Sequence, residues 1–295
     1  MRELTKPAAA PGADDSHDPL HQFGCRSHCL GAVPMREDWK KFEGRVVNNM
    51  LPLRRLLEST RYSAVFLTQS GHEQPKNLAI KFIRAGARAD SQTSLWYRAS
   101  KLNHPNLLRL LPGGHCKLGG MDLIFVVMEY AEQNLGRVLP NRPLTANETR
   151  EMLRPLLGAL SYIHSEGLAH THIKPSNIMA IGKQLKLSCD TVLAFNEPRP
   201  AYRPADAYDA PEAGRARVAA SSDVWSLGVT LVEILTQQTP VSSPGSQADP
   251  IVPSIIPQPF LDIARQCLRR EPLLRWTTAQ IADCLRPLPF RLPRM

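Results

Sequence analysis

Between Asp223 and Leu235 the chain reads D-V-W-S-L-G-V-T-L-V-E-I-L, thirteen residues that are apolar on nearly every face of a helix. A helix without a polar face has to be enclosed by other elements, which is the signature of the centre of a helical lobe. The second half of the chain must then supply helices to surround it. One begins at Thr145-Ala146-Asn147-Glu148, a capping box in which threonine and glutamate satisfy free backbone donors at a helix start. Met152, Leu156, Leu160 and Ile163 follow on one face. Pro155 lacks an N–H, so a bend is expected there.

The first half reads differently. Ala64–Thr68 and Asn77–Ile83 are short and β-rich, and the polar turn around Ser70, Gly71 and His72 separates them as a hairpin. Ser91 to Leu102 reads as a helix that ends before His104-Pro105, because the residue preceding proline avoids α geometry. Leu123 to Glu129 is an apolar run of strand length after Gly119-Gly120. Strands first and helices second imply an α+β fold of two lobes. The expected domain spans 35–295, with a β-rich N-lobe over about 45–128 and a helical C-lobe over about 131–285. Residues 1–34 lack periodicity and read as a disordered leader. Met35 is an alternative start, which would leave that leader untranslated. Within it, His21, Cys25, His28 and Cys29 match no standard zinc spacing, and an unstructured tail is expected.

Composition narrows the function classes. No run approaches the roughly 18 uncharged apolar residues of a membrane helix, and the N-terminus has no apolar core of signal-peptide type. A soluble, cytoplasmic protein is expected. Six cysteines spread over 295 residues suit reduced thiols better than a disulfide framework. The formal charge of +9 permits acidic partners. The basic residues are scattered, however, with no run of five and no interleaved aromatics, so nucleic-acid binding is not expected.

His170-Thr171-His172-Ile173-Lys174-Pro175-Ser176-Asn177 resembles the catalytic loop of protein kinases, H-R-D-L-K-P-x-N. In that family the Asp accepts the substrate hydroxyl's proton and the Asn holds a metal ion. Here the Arg is Thr171 and the Asp is His172. Asn77-Leu78-Ala79-Ile80-Lys81 resembles the V-A-I-K strand, His104-Pro105-Asn106-Leu107 the end of helix αC, and Met128-Glu129-Tyr130 the adenine hinge. Ala210-Pro211-Glu212 matches A-P-E, Asp223-Val224-Trp225-Ser226-Leu227-Gly228 the αF start, and Arg275 the usual partner of the A-P-E glutamate. In this order and spacing, about residues 45 to 285 resemble a bacterial serine/threonine protein kinase domain. The resemblance implies the protein-kinase-like bilobal fold.

It also implies a division between framework and chemistry. His170, Asn106, Glu212, Asp223, Trp225, Gly228 and Arg275 keep the family's structural positions. The chemical positions are eroded. The three loop glycines fall on Glu58, Thr60 and Ser63, where side chains hinder the close approach of amides to phosphate and Glu58 adds negative charge. The αC glutamate that should pair with Lys81 falls at or near Leu95. At the D-F-G site, spacing from Asn177 indicates Asp190-Thr191-Val192, whereas the pattern after Lys186-Leu187 indicates Cys189. The distance from the catalytic loop favours Asp190.

In the activation segment, Thr191 to Ala210, the substrate-loop Thr position is Ala205, and the phosphate-reading Arg is Thr171. Activation by loop phosphorylation is therefore not expected.

The expected site comprises His172, at the degenerate base position, and Lys174. Lys81, Ala79, Val65, Met128, Glu129, Tyr130 and Met179 would hold the nucleotide, and Asn177 and Asp190 the metal. A histidine can serve as a base near neutral pH, but the family's aspartate also orients the attacking hydroxyl beside metal-bound phosphates, and an imidazole that can carry a positive charge is a different device. The expected function is therefore a pseudokinase: a signalling or scaffold module with protein partners, weak or no ATP binding, and a poor magnesium site. The alternative is an active divergent serine/threonine kinase that transfers the ATP γ-phosphate to protein hydroxyls through Lys81, Asn177 and Asp190.

Overall fold

The computed structural model describes residues 39–60, 62–71, 75–86, 89–199, 206–214, 217–241 and 247–286. All of them fall in one unit of the chain, Pro34–Met295. The leader, with His21, Cys25, His28, Cys29 and Met35, lies outside the described residues.

The N-terminal part is a five-stranded antiparallel sheet in the order β3-β4-β5-β7-β6. Its strands are β3 (Arg55–Ser59), β4 (Ser63–Ser70), β5 (Lys76–Arg84), β6 (Leu110–Leu118) and β7 (Met121–Glu129). A two-residue pair, β1 (Val46–Val47) and β2 (Leu51–Pro52), precedes it. Strands β4 and β5 form the expected hairpin, in a register that sets Val65 opposite Lys81. Successive strand residues face opposite sides of a sheet. Leu78, Ile80 and Phe82 therefore enter an aromatic core with Trp39, Phe42, Phe66 and Phe125, while Ala79 joins the main core on the other face. The expected helix forms as α1 (Ala89–Ala99) between β5 and β6.

The C-terminal part opens with a short strand, β8 (Gln133–Asn134), and α2 (Leu135–Val138), followed by the long helix α3 (Ala146–Ser165). Thr145 and Glu148 close the capping box at the start of α3, and the helix is unbroken across Pro155. Strands β9 (Leu168–Ala169), β10 (Ile178–Ile181), β11 (Gln184–Leu187) and β12 (Leu193–Ala194) carry the loops of the site. Helices α4 (Ala220–Thr236), α5 (Phe260–Cys267) and α6 (Thr278–Cys284) complete the lobe. As its sequence requires, α4 is buried along almost its whole length. A Cβ at Gly228 would lie 2.7 Å from Cys267 Cβ and 3.0 Å from Leu268 Cγ, so the absence of a side chain there lets α5 pack against α4.

The lobes are joined behind the cleft by the segment after α1. Asn106 Nδ2 donates to Leu185 O at 2.8 Å, and backbone bonds link Leu108 N to Leu187 O and Leu187 N to Asn106 O. The fold is the bilobal protein-kinase fold, a sheet-rich N-terminal region followed by a helical one.

Candidate active site

The cleft between the sheet and the helical lobe is lined by Val65, Ala79, Met128, Tyr130 and Met179, with Lys81, Asn177 and Asp190 at its polar end. The sequence-derived nucleotide and metal residues thus converge on one cavity. Glu129 also lines it, but its carboxylate is held by Lys186 Nζ at 2.7 Å and by Arg109 N at 3.0 Å. Despite burial, those bonds keep the Glu129 carboxyl below its ordinary range.

Alternation along β5 aims Lys81 at Asp190, and the two form a hydrogen-bonded ion pair. Ser188 donates its hydroxyl to the same carboxylate, and Trp96 Nε1 donates to Asp190 O at 2.9 Å. Cys189 is buried on the other side of the strand end, its Sγ against Leu108 O at 3.1 Å. Of the two registers read from the sequence, the one placing Asp190 in the cleft matches the geometry. Leu95, at the position of the missing glutamate, is buried with Ala169, Leu193 and Val218. Its neighbour Trp96, which the sequence reading passed over, supplies the contact from α1 to Asp190.

The catalytic loop rests on Asp223, which is fully buried. This carboxylate accepts from His170 N and Thr171 N, each at 2.7 Å, and pairs with His164 Nε2 at 2.9 Å. Thr171 sits at φ +62°, an uncommon conformation for a β-branched residue. Thr171 Oγ1 donates to Thr191 O at 2.9 Å and Thr191 Oγ1 to His170 O at 3.0 Å. The two threonines thereby tie the loop to the strand end where the family carries Arg and Phe. Pro175 opens a single 3-10 turn, Pro175–Asn177, from which Asn177 Nδ2 donates to His172 O at 2.7 Å.

His172 points not into empty cleft but at a carboxylate. Its Nε2 lies 3.0 Å from Asp206 Oδ2, and Lys174 Nζ lies 3.6 Å from the same oxygen. The hydrogen bond from His172, with help from Lys174, outweighs burial and holds the Asp206 carboxyl far below its ordinary range. Asp206 was not singled out from the sequence. The available signal was an acid next to Ala205, the position of the substrate-loop threonine.

At the phosphate end, the described residues of the β3–β4 connection turn their amides inward. Strands β3 and β4 are joined by a turn in which Thr60 Oγ1 accepts from Tyr62 N and Ser63 N, both at 3.1 Å. A threonine hydroxyl therefore occupies amides that a glycine loop would offer to phosphate. The apolar slot suits an adenine ring and the Asn177–Asp190 pair offers one amide and one carboxylate to a cation, while two amides at the phosphate end, those of Tyr62 and Ser63, are already engaged by Thr60. Among the described residues no group of three or more His, Cys, Asp or Glu could hold a metal ion.

Asp190 and Asp206 carry a consequence for acid stability. Burial would raise the Asp190 carboxyl, but the charge of Lys81 and the bonds from Lys81 and Ser188 bring it below its ordinary value. A carboxyl lowered in the folded state contributes stability above its unfolded pKa of about 3.9, which is lost as pH falls through the folded value. Denaturant midpoints are expected to hold from neutral pH down to about 4 and then to drop. Asp190→Asn should flatten that drop, and an unchanged acid limb in the variant would refute the assignment.

The chain matches the protein kinase domain family model over residues 59–284. Among similar proteins, serine/threonine-protein kinase PknB of Mycobacterium leprae (strain TN) is 31% identical over 202 residues, covering 61% of this chain and 32% of PknB. Mitogen-activated protein kinase kinase kinase 17 of Arabidopsis thaliana is 25% identical over 257 residues, covering 75% of this chain and 65% of the relative. Serine/threonine-protein kinase mos of Patiria pectinifera is 27% identical over 204 residues, covering 63% and 57%. The chain thus spans about a third of the length of the PknB relative. With a family model over most of its length and a bilobal cleft whose framework contacts are in place, this chain belongs to the protein kinase domain family.

Proposed function

We propose that this domain is a pseudokinase, a kinase-folded signalling or scaffold module that acts through protein partners and binds ATP weakly. The observation that carries this reading is at the catalytic loop. Where phosphoryl transfer needs a carboxylate to take the hydroxyl's proton, the chain presents His172, and the ring is bonded to Asp206. The occupied amides at Thr60 support the same reading. No helix among the described residues is long and apolar enough to cross a membrane, and the four described cysteines are free. Both features accord with work in the cytoplasm.

An active, divergent serine/threonine kinase is the second reading. It is favoured by one observation, that Lys81, Asn177 and Asp190 reach the same cleft.

Nucleotide affinity tests the proposal. Binding is expected to be weak and almost insensitive to magnesium. Mg²⁺ sheds water reluctantly and prefers carboxylates with phosphate oxygens, and the only carboxylate expected to bind it, Asp190, is already paired with Lys81. Calorimetry should give similar, weak affinities for ATP with Mg²⁺ and with EDTA, or no binding. Tight binding that requires Mg²⁺ and is abolished by Asp190→Asn would overturn the proposal in favour of the active kinase.

A further inference from the structure

Exchange of an acid for His172 leaves two potential cations, His172 and Lys174, side by side on the catalytic loop. The structure places one carboxylate oxygen on both, at 3.0 Å and 3.6 Å. We infer that the catalytic loop of this chain is a carboxylate receptor, and that its ligand is the side chain of Asp206, which docks the end of the activation segment where a substrate hydroxyl would approach. The inference rests on the pseudokinase reading and gives His172 a role within it: the histidine grips the chain's own carboxylate instead of withdrawing a proton.

Both halves of the contact are built. On the loop side, His172 is fixed through its backbone. Its carbonyl accepts from Asn177 Nδ2 at 2.7 Å and its N–H donates to His170 Nδ1 at 3.2 Å. On the segment side, Asp206 N donates to Asp209 Oδ2 at 2.6 Å, and Asp209 pairs with Arg199. The next residue but one, Tyr208, donates its N–H to Asp206 Oδ1 at 3.4 Å and its hydroxyl to Glu233 on α4. Oδ2 of Asp206 is thus presented to the loop by a segment anchored on the helical lobe.

Charge reciprocity explains why the two positions go together. An aspartate at 172, as the kinase loop would have it, would set a second carboxylate near Asp206, and the two would repel. With His172 the pair attracts. The side chains are 16% and 28% exposed, so solvent screens this contact less than an open surface pair.

Hydrogen exchange followed by mass spectrometry on the full chain tests the inference, because local opening is read directly from amide protection. Peptides covering Asp206–Gly214 are expected to be protected in the unmodified chain. Asp206→Asn keeps the shape and removes the charge, and should speed their exchange on the order of tenfold, the value of a charge-assisted hydrogen bond. Lys174→Ala should act in the same direction but less, since its contact is longer. His172→Asp should match or exceed Asp206→Asn, and combining His172→Asp with Asp206→His should slow exchange back toward the starting rate by exchanging the partners. Wild-type exchange rates in both Asp206→Asn and His172→Asp would overturn the inference. So would acceleration in His172→Asp alone without recovery in the exchanged pair, which would mean that the loop itself had been disturbed. Failure of the pseudokinase reading would appear separately, as phosphate incorporation by the unmodified chain whatever the exchange pattern.

Discussion

Incubated with radiolabelled ATP and either Mg²⁺ or Mn²⁺, the purified protein is expected to place no phosphate above background on itself or on generic protein substrates. Active protein kinases turn over at roughly 1–100 s⁻¹, and the loss of a positioned general base typically lowers rates by about 10²–10⁴. The base position here is His172, bonded to Asp206. Two further features are expected to weaken the positioning of phosphate. The amides of Tyr62 and Ser63 are taken by Thr60 Oγ1, and Lys81 pairs with Asp190, since α1 carries no glutamate and Leu95 is buried among Ala169, Leu193 and Val218. Residues that act as a unit do not lose rate additively, so the factors are not multiplied, but each is expected to lower turnover. Incorporation that disappears in a Lys81→Ala variant would refute this expectation and establish the active reading.

Arg275→Ala is expected to cost about 3–5 kcal/mol of folding stability, the typical result of removing one partner from a buried ion pair. The guanidinium meets Glu212 with two parallel bonds, 2.6 Å and 2.8 Å long. It also donates to the carbonyls of Arg269, Ser221 and Arg270 and lies over the ring of Trp225, 5.0 Å from its centroid. Alanine would leave Glu212 and three carbonyls to find other partners in a site with little water. Arg275→Lys should recover only part of the loss, because an ammonium keeps the charge but cannot form the two-pronged contact or lie flat on the indole. Denaturant unfolding of the three proteins measures the effect. An unchanged midpoint in Arg275→Ala would show that the pair does not hold the segment to the lobe.

The framework was legible in the sequence because it is written in local patterns. Helix α4 announces itself by being apolar all round, the capping box of α3 by Thr145 and Glu148, and the β4–β5 hairpin by two short β-rich runs around a glycine turn. The Glu212–Arg275 pair, although 63 residues apart, was legible through the resemblance to a kinase lobe, and the bidentate contact is present. The residues at the altered positions, His172 in the catalytic loop and Glu58, Thr60 and Ser63 in the strand turn, could be named from spacing alone.

What took the place of the missing groups was not legible, because replacement is a matter of proximity in space and not of order along the chain. Thr60 capping the amides of Tyr62 and Ser63 depends on the turn the backbone adopts. Trp96 reaching Asp190 depends on the rotation of α1 against the cleft, and joins residues 94 apart. The register at Asp190 and Cys189 differs by one residue, and the two alternatives separate only when one side chain turns to Lys81 and the other to Leu108. Asp206 meets His172 across 34 residues. A kinase-type framework with an altered catalytic loop can be read along the chain. The pairing of that loop with a carboxylate cannot, because a charge 34 residues away becomes a neighbour only through packing.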